Sequence, residues 1–272
     1  MIRMGKVLSA GATTVALSFA AFLSVFPFLW MLLGATNTNA DIVHGRMTPG
    51  SNLATNVGRL LAQINLPLVF WNSFKIAIVS TVLTLLVSSL AGYGFEIFRS
   101  RMRERIYKAL LLTMMVPFAA LMIPLFILIS RAGLINTHLA VILPTISSAF
   151  IIFYFRQCTT AFPRDLRDAA KIDGLSEWQI FFLIYVPVMR STYAAALIIV
   201  FMTAWNSYLW PLIVLQSNEM KTIVLVISSL ASAYTPDFGV VMVATSLATF
   251  PTLVVFFAMQ KQFVQGMLGS VK

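Results

Sequence analysis

Long apolar stretches separated by short charged islands set the pattern of this chain. A membrane helix needs about 17 to 25 mainly apolar residues to cross a hydrocarbon core of roughly 30 Å. Six stretches meet this requirement, at about residues 7–34, 71–95, 109–130, 139–155, 192–215 and 238–259. The first is longer than the roughly 7–15 apolar residues of a signal peptide. The pattern therefore predicts an all-α polytopic membrane protein with a single transmembrane domain over residues 1–272.

Prolines interrupt the third and fourth apolar stretches. Pro117 and Pro124 fall in the third stretch and Pro144 in the fourth, and each removes a backbone hydrogen bond and tends to bend its helix. Such breaks persist in a membrane where neighbouring protein or a water-filled cavity satisfies the freed carbonyls. We therefore expect bent helices, with Thr145 and Ser148 beside the bend as candidates for lining a passage.

The fifth stretch holds the densest group of polar and aromatic residues in any predicted span. Two interpretations stay open for Trp205, Asn206 and Tyr208: an aromatic belt at the lipid headgroups, or a platform of rings for a sugar. We include these three residues, with Thr145 and Ser148, as a candidate substrate pathway.

The most charged and most helix-patterned island covers residues 160–188. Pro163 suits the first turn of a helix, and Gly174 suits its end because glycine accepts a positive φ. Ser176 and Gln179 then have the spacing of a capping box, and the helical pattern continues to Pro187. The island therefore predicts two short helices between the fourth and fifth spans.

One face of the first of these helices is apolar but small. Its positions are Phe162, Leu166, Ala169, Ala170 and Asp173. Two adjacent alanines would allow the backbone to approach another surface closely, as in docking into a groove. An ordinary solvated loop beside the membrane explains the spacing equally well, and the residue pattern alone does not choose.

Composition and charge agree with a membrane protein. The chain is 59% hydrophobic and 10% charged, with a mean hydropathy of +0.89. Its net charge of +10 does not indicate a nucleic-acid partner, because the basic residues gather at the termini and in alternate loops. Cytoplasmic loops carry the excess of lysine and arginine, which places both termini and the island at 160–188 in the cytoplasm. Fewer basic residues fall on the other side: Arg46, Arg59, Lys75, Arg131 and Lys221.

Several kinds of site are missing from the sequence. No charged residue or histidine falls well inside a predicted span, whereas ion-coupled transporters generally depend on such residues. No G-x-x-x-x-G-K-[ST] phosphate loop is present, so a nucleotide that drove transport would be hydrolysed on another chain. No cluster of histidine or cysteine indicates a metal site. The single Cys158 excludes an internal disulfide and is interpreted as a packing residue.

A motif within residues 160–188 resembles the hallmark of the inner-membrane permease subunits of binding-protein-dependent ATP-binding-cassette importers. That hallmark is E-A-A, three residues, G, nine residues, then I-x-L-P. It stands here as Asp168-Ala169-Ala170, Gly174 and Ile184-Tyr185-Val186-Pro187, with every spacing kept. Asp168 replaces glutamate and Val186 replaces leucine.

Further pieces are similar to the carbohydrate branch of that family, the group containing the maltose permease subunit MalG. They are Asn72-Ser73, Ala170 to Gly174, Trp205-Asn206 with Tyr208-Leu209, and the ending from Gln260 to Lys272 with Gly266. Glycerol-3-phosphate permease subunits share the W-N-x-Y-L-W-P run, so the resemblance leaves sugars and sn-glycerol-3-phosphate both open as substrates. A stand-alone secondary transporter is the alternative from another class.

The resemblance implies a MetI-like permease fold of six transmembrane helices, with residues 160–188 as a cytoplasmic coupling loop. It implies a bacterial inner-membrane importer for a sugar, with a di- or oligosaccharide favoured. The expected partners are a second homologous permease subunit, two ATPase subunits that bind ATP and Mg²⁺, and an extracytoplasmic solute-binding protein. This chain would itself bind no cofactor and catalyse no reaction. The implied coupling residues are Leu166, Asp168, Ala169, Ala170, Asp173, Gly174, Ile184 and Pro187.

Overall fold

The computed structural model describes residues 2–268, and it describes side-chain surroundings for residue 11 and residues 13–260. Regular structure in this part of the chain is helical, as the sequence predicts. The α-helices are α1 (Ile2–Ala35), α2 (Asn39–Val43), α3 (Leu53–Gln63), α4 (Leu66–Ile97), α5 (Arg101–Thr113), α6 (Phe118–Arg131), α7 (His138–Ile142), α8 (Ala149–Thr159), α9 (Arg164–Ile172), α10 (Glu177–Ile180), α11 (Val186–Val188), α12 (Arg190–Trp205), α13 (Leu209–Val214), α14 (Ile223–Ala231) and α15 (Phe238–Leu268). Short 3₁₀ turns cover Leu143–Thr145 and Asn218–Met220, and a π-helical turn covers Phe181–Tyr185.

Among the described residues, three helical segments are long and apolar enough to cross a membrane: Thr13–Ala35, Leu66–Ile97 and Phe238–Gln260. Three bent helix pairs bring the number to six if each pair is one span. The pairs bend by 102° between α5 and α6, by 40° between His138–Thr145 and α8, and by 81° between Glu177–Val188 and α12. The six-span architecture is therefore reached only with broken helices.

The break between α5 and α6 falls inside the predicted span at 109–130, for which the sequence predicts a bent helix. It covers Met114 to Pro117, and Pro117 caps α6 with φ −64° and ψ 137°. Proline has no amide hydrogen to donate to the preceding turn, so the helix restarts in a new direction. Pro124, in contrast, lies inside α6. In the fourth span Pro144 falls in the 3₁₀ turn and Ser148 caps α8 through a bond from the Ile151 amide.

The predicted span at 192–215 differs from the structure. Helix α12 ends at Trp205, and α13 begins only at Leu209. The capping residue Asn206 has φ −88° and ψ 7°, and its side-chain amide donates to the Met202 carbonyl at 2.8 Å. This local bond competes with continuation of the helix.

The chain divides into two compact units. The first holds the chain up to Leu66 and Val226–Phe250. Its core contains Ala35, Leu60, Val240, Val243 and Ala244. Asn56 stabilises this unit by donating to the carbonyls of Ala35 at 2.9 Å and Asn37 at 3.0 Å.

The second unit holds Pro67–Leu225 and the chain from Pro251 onward. Its largest apolar cluster is centred on Ile142, Trp210 and Val214, and a second cluster includes Phe155, Ala196 and Val200. Several buried hydroxyl and amide side chains on α4 form hydrogen bonds in this unit. Asn72, for example, donates to the carbonyls of Glu219 at 2.7 Å and Lys221 at 3.2 Å. The candidate sites described below lie within this second unit.

Candidate functional site

Helices α9 and α10 form the two-helix loop that the sequence predicts, and Gly174 joins them. Gly174 has φ 79°, and its amide donates to the Lys171 carbonyl at 3.0 Å. The next amide, of Leu175, donates to the Ala170 carbonyl at 3.0 Å. This pair of bonds is the Schellman arrangement that ends many helices. The predicted helix stop at Gly174 is confirmed.

The predicted capping box at the start of α10 is confirmed as well. The Gln179 side-chain oxygen accepts from the Ser176 amide at 2.9 Å, and the Gln179 amide donates to the Ser176 hydroxyl at 3.4 Å. Pro163 stands one position before the predicted first turn, as the N-cap of α9. Local sequence signals on both sides of the turn at Gly174 therefore determine where α9 ends and where α10 begins.

Burial divides the predicted stripe on α9 into a covered part and an exposed part. Phe162 and Ala170 are buried within the chain at 3% and 4% exposure, whereas Leu166, Ala169 and Asp173 are exposed. Ala169 and Ala170 point about 100° apart, and only Ala169 lies on the exposed side of the helix. The outward face is instead formed by Leu166, Ala169 and Asp173, with the highly exposed Ile172 beside them.

The other implied coupling residues divide in the same way. Asp168 and Pro187 are exposed, as is Gly174, while Ile184 is half-buried. Ile184 packs against the aromatic cluster of Tyr93, Phe162 and Tyr185. The motif thus contains exposed residues as well as residues that pack the loop against the rest of the second unit.

Glu177 is the charged centre of the loop. Its carboxylate accepts from Arg167 Nη2 at 2.6 Å and lies 2.7 Å from Lys171 Nζ. The Tyr93 hydroxyl on α4 donates to the same carboxylate at 3.3 Å. Partial burial raises the pKa of Glu177, but the hydrogen bonds from Arg167 and Lys171 outweigh it and leave that pKa below its ordinary value. Glu177 therefore binds α9, α10 and α4 together as an anion.

A second ionic cluster lies where α4 ends. Glu96, only 3% exposed, pairs with Arg99, with Arg156 of α8 at 3.5 Å and with Arg164 of α9 at 3.8 Å. Arg156 also pairs with Glu104 of α5. A buried carboxylate requires such partners because its desolvation is costly. The cluster links the first residue of α9 to α4, α5 and α8.

A cavity of about 420 Å³ opens among α4, the α7–α8 bend and α12. Hydroxyl groups and apolar side chains line it together. The hydroxyl-bearing residues are Ser80, Thr84, Thr145, Ser148, Thr203 and Ser207. The apolar ones include Ile76, Phe118, Pro144, Phe150 and Ile199. Two of the predicted pathway residues, Thr145 and Ser148, are therefore in its wall.

The other three predicted pathway residues are placed outside the cavity lining. Trp205 is 2% exposed and packs on Phe74 with ring centroids 4.8 Å apart. Asn206 is exposed, and Tyr208 packs against the cluster around Trp210. Because the Trp205 indole is buried within the chain, it fits neither the predicted aromatic belt at the lipid headgroups nor the predicted ring platform for a sugar.

Comparison with known proteins identifies the family. Residues 99–269 match the family model described as "Binding-protein-dependent transport system inner membrane component". The chain belongs to this family. The match contains the whole loop at 160–188 and α12 to α14.

Relatives of this inner-membrane component match along nearly their whole length. The lactose transport system permease protein LacG of Rhizobium radiobacter is 71% identical over 256 residues, which cover 94% of each chain. The arabinooligosaccharides transport system permease protein AraQ of Halalkalibacterium halodurans is 34% identical and covers 95% of each chain.

A solved structure supports the permease fold. It is a bacterial ABC transporter involved in the import of the acidic polysaccharide alginate, and it matches with a TM-score of 0.83. The match covers 95% of this chain and 98% of that one at 20% identity. The likeness therefore shows a shared MetI-like fold.

Sequence reasoning missed four hydroxyl residues of this permease's cavity: Ser80, Thr84, Thr203 and Ser207. Ser80 and Thr84 stand four positions apart on α4, which places them on one helix face. That spacing was a usable signal, but hydroxyls in membrane helices commonly bond their own backbone. The ionic cluster at Glu96 was missed too, because its members come from four separate segments of the chain, at the end of α4 and on α5, α8 and α9.

Proposed function

We propose that this chain is the permease subunit of an ATP-driven importer that carries a disaccharide of the lactose type across the cytoplasmic membrane. The 71% identity to a lactose permease over 94% of both chains carries the proposal. The 34% identity to an arabino-oligosaccharide permease also favours a carbohydrate.

The chemistry of the cavity favours an uncharged sugar over sn-glycerol-3-phosphate. Its described lining offers six hydroxyl-bearing residues and no lysine or arginine. Phosphate esters are normally bound by cations or by several convergent amide donors. Hydroxyls both donate and accept, which matches the hydroxyls of a sugar. The apolar wall, including Phe118 and Phe150, suits the C–H faces of the same ligand.

The energy source and the partners are part of the proposal. The family description names a binding-protein-dependent system, and the sequence carries no phosphate loop. We therefore infer that ATP and Mg²⁺ bind to two partner ATPase subunits, that this chain binds no cofactor, and that it is not an enzyme. A second homologous permease subunit and an extracytoplasmic solute-binding protein would complete the importer. A stand-alone secondary transporter has no support from the family.

Membrane orientation belongs to the same proposal. The excess of arginine and lysine on the side of residues 99–108 and 160–188 supports a cytoplasmic location for these segments and for both termini. The side chains of residues 1–10 and 261–272, on which the termini depend, lie outside the described residues.

The coupling role follows from the two sides of α9. We infer that Leu166, Asp168, Ala169 and Asp173 face the ATPase. Ala170, Gly174, Ile184 and Pro187 would hold the loop in shape. Movement of α9 would reach α4 and α8 through the ion pairs of Arg164 and Arg156 with Glu96, which are 3.8 Å and 3.5 Å long.

The deciding experiment is uptake of labelled lactose by cells that carry or lack the gene. We expect the deletion to abolish uptake and the cloned gene to restore it. Excess unlabelled lactose should compete, whereas sn-glycerol-3-phosphate should not. Competition by the phosphate ester alone would contradict the sugar assignment. ATP hydrolysis by the purified single chain would contradict the partner assignment.

A further inference from the structure

Helix α5 carries three basic side chains that have no partner within the described part of the chain. Arg101, Arg105 and Lys108 are spaced i, i+4 and i+7, so they share one helix face, and all three are exposed. Two neighbouring arginines are already occupied: Arg99 pairs with Glu96, and Arg103 donates to the Phe98 carbonyl. The sequence pattern treats these five as one basic island, and the structure separates them into two groups.

The unpaired cations surround a depression. It has a volume of about 410 Å³ and is lined by Arg99, Ser100, Arg101, Glu104, Arg105 and Lys108. The one carboxylate in the lining, of Glu104, is held by Arg156. The depression therefore presents an excess of positive charge to any ligand that enters it.

An apolar strip runs beside the cations. Met102 and Ile106 border the basic face at 64% and 47% exposure. Leu112, at 64%, follows Lys108 by four positions on the face of the cations themselves, nearer α6. Helix α5 makes an angle of 102° with α6. If α6 follows the membrane normal, α5 lies close to the membrane plane, where an amphipathic helix meets headgroups and acyl chains together.

We propose that this face of α5, formed by Arg101, Met102, Arg105, Ile106 and Lys108, binds the headgroup phosphate of an anionic phospholipid in the cytoplasmic leaflet. The three cations contact the phosphate, and Met102 and Ile106 contact the adjoining acyl chain. An acidic protein surface would satisfy the charges but would leave the apolar strip in water. Orientation by the positive-inside effect requires only the charges, not the depression or the strip beside them.

The site lies next to the ionic cluster that joins α5 to Arg156 and Glu96. A bound lipid would hold α5 against the leaflet and thereby hold Glu104 toward Arg156. The inference depends on the membrane location of the chain and not on which sugar it carries.

Native mass spectrometry of the purified full chain in mixed phosphatidylglycerol and phosphatidylcholine tests the proposal. We expect the wild type to retain phosphatidylglycerol preferentially. Each cation near an anionic surface contributes about a fivefold gain in binding, so R101Q/R105Q/K108Q should weaken retention by up to about 100-fold. The matched triple variant R46Q/R59Q/R131Q removes the same charge from the predicted outer side and should retain the lipid.

Three further measurements distinguish lipid binding from binding of a free anion and from a loss of folding. M102N/I106N should also weaken retention, because a lipid but not a free anion uses the apolar strip. Inorganic phosphate at millimolar concentration should not displace the lipid. The single variant R105Q, with an expected loss of about fivefold, replaces the triple variant if that one fails to fold. Equal retention of the two lipids, equal loss in the matched triple, no effect of M102N/I106N or displacement by phosphate would each overturn the proposal.

Discussion

Arg167 and Glu177 form a two-point ion pair across the turn at Gly174. The Arg167 Nε and Nη2 atoms donate to the two carboxylate oxygens at 3.3 Å and 2.6 Å. Paired hydrogen bonds of this kind fix orientation as well as distance. The pair therefore sets the angle between α9 and α10, and with it the direction of the outward face formed by Leu166, Ala169 and Asp173.

Replacing Glu177 with glutamine should loosen this loop. The side chain of Glu177 is 33% exposed, so solvent screening limits the expected loss to about 1 kcal/mol in the free energy of unfolding. Thermal unfolding of the purified chain measures the change. Asp165→Asn is the matched control, because Asp165 lies on α9 of the same loop, is exposed and has no hydrogen bond or ion pair within the described part of the chain.

The effect of Glu177→Gln should depend on pH. The folded-state pKa of Glu177 lies below its ordinary value of 4.5. The carboxylate therefore contributes its full stabilisation above that value and loses it as the pH falls through the lower, folded-state pKa. We expect the wild type to unfold at a higher temperature than Glu177→Gln at pH 7, and the difference to shrink at pH 3. A difference of equal size at both pH values would contradict the role of the ionised carboxylate.

Gly174 should tolerate asparagine better than alanine, and alanine better than valine. No atom lies within 4 Å of the position that a Cβ would take, so the cost arises from φ 79° alone. A left-handed conformation costs most L residues about 1–2 kcal/mol, while asparagine accepts it more readily. Sugar uptake and co-purification of the ATPase measure the outcome. Equal uptake by the asparagine and valine variants would contradict a conformational role.

The loop shows which features a sequence can predict. Gly174, Ser176 and Gln179 act within one or two helical turns, so their effects follow from local rules and agree with the structure. Which of Ala169 and Ala170 is buried depends on contacts between α9 and distant residues: Arg164 pairs with Glu96 of α4, and Arg167 lies over the Phe98 ring. The spacing of residues within α9 does not show which side of the helix such long-range contacts will cover.

The breaks in the helices also divide into those that local sequence rules predict and those that they do not. Pro117 marked the break before α6 because proline removes a donor. The end of α12 at Asn206, whose side chain bonds to the Met202 carbonyl, falls in a stretch that is otherwise apolar enough to continue. The cluster at Glu96 also escaped prediction, because its partner Arg156 is 60 residues away in the chain.

Gly92 and Gly94 should respond in opposite ways to alanine. A Cβ on Gly92 would lie 2.7 Å from the Phe155 Cβ and 2.8 Å from the Arg156 amide nitrogen, whereas a Cβ on Gly94 would meet nothing within 4 Å. Gly92→Ala must push α4 and α8 apart, at a cost of about 1–3 kcal/mol. Gly94→Ala should be neutral or stabilising by up to about 1 kcal/mol, because alanine favours a helix. Thermal unfolding of the two variants measures this, and equal loss in both would contradict the close approach at Gly92.

Ser80 and Ser88 offer a test of the cavity that separates function from stability. Both lie on α4, both are almost fully buried, and the hydroxyl of each has no hydrogen-bond partner within the described part of the chain. Only Ser80 lines the cavity. Replacing a buried hydroxyl that has no partner with alanine is neutral or slightly stabilising, so neither Ser80→Ala nor Ser88→Ala should lower the unfolding temperature.

Uptake should distinguish the two serine variants. If a sugar hydroxyl bonds to Ser80 during transport, Ser80→Ala loses one hydrogen bond of about 1 kcal/mol, or roughly a fivefold change in the concentration of lactose needed for half-maximal uptake. Ser88→Ala should transport lactose like the wild type, because its side chain does not line the cavity. Unchanged uptake by both variants would show that the sugar does not contact this wall. A loss in Ser88→Ala alone would place the contact on another face of α4.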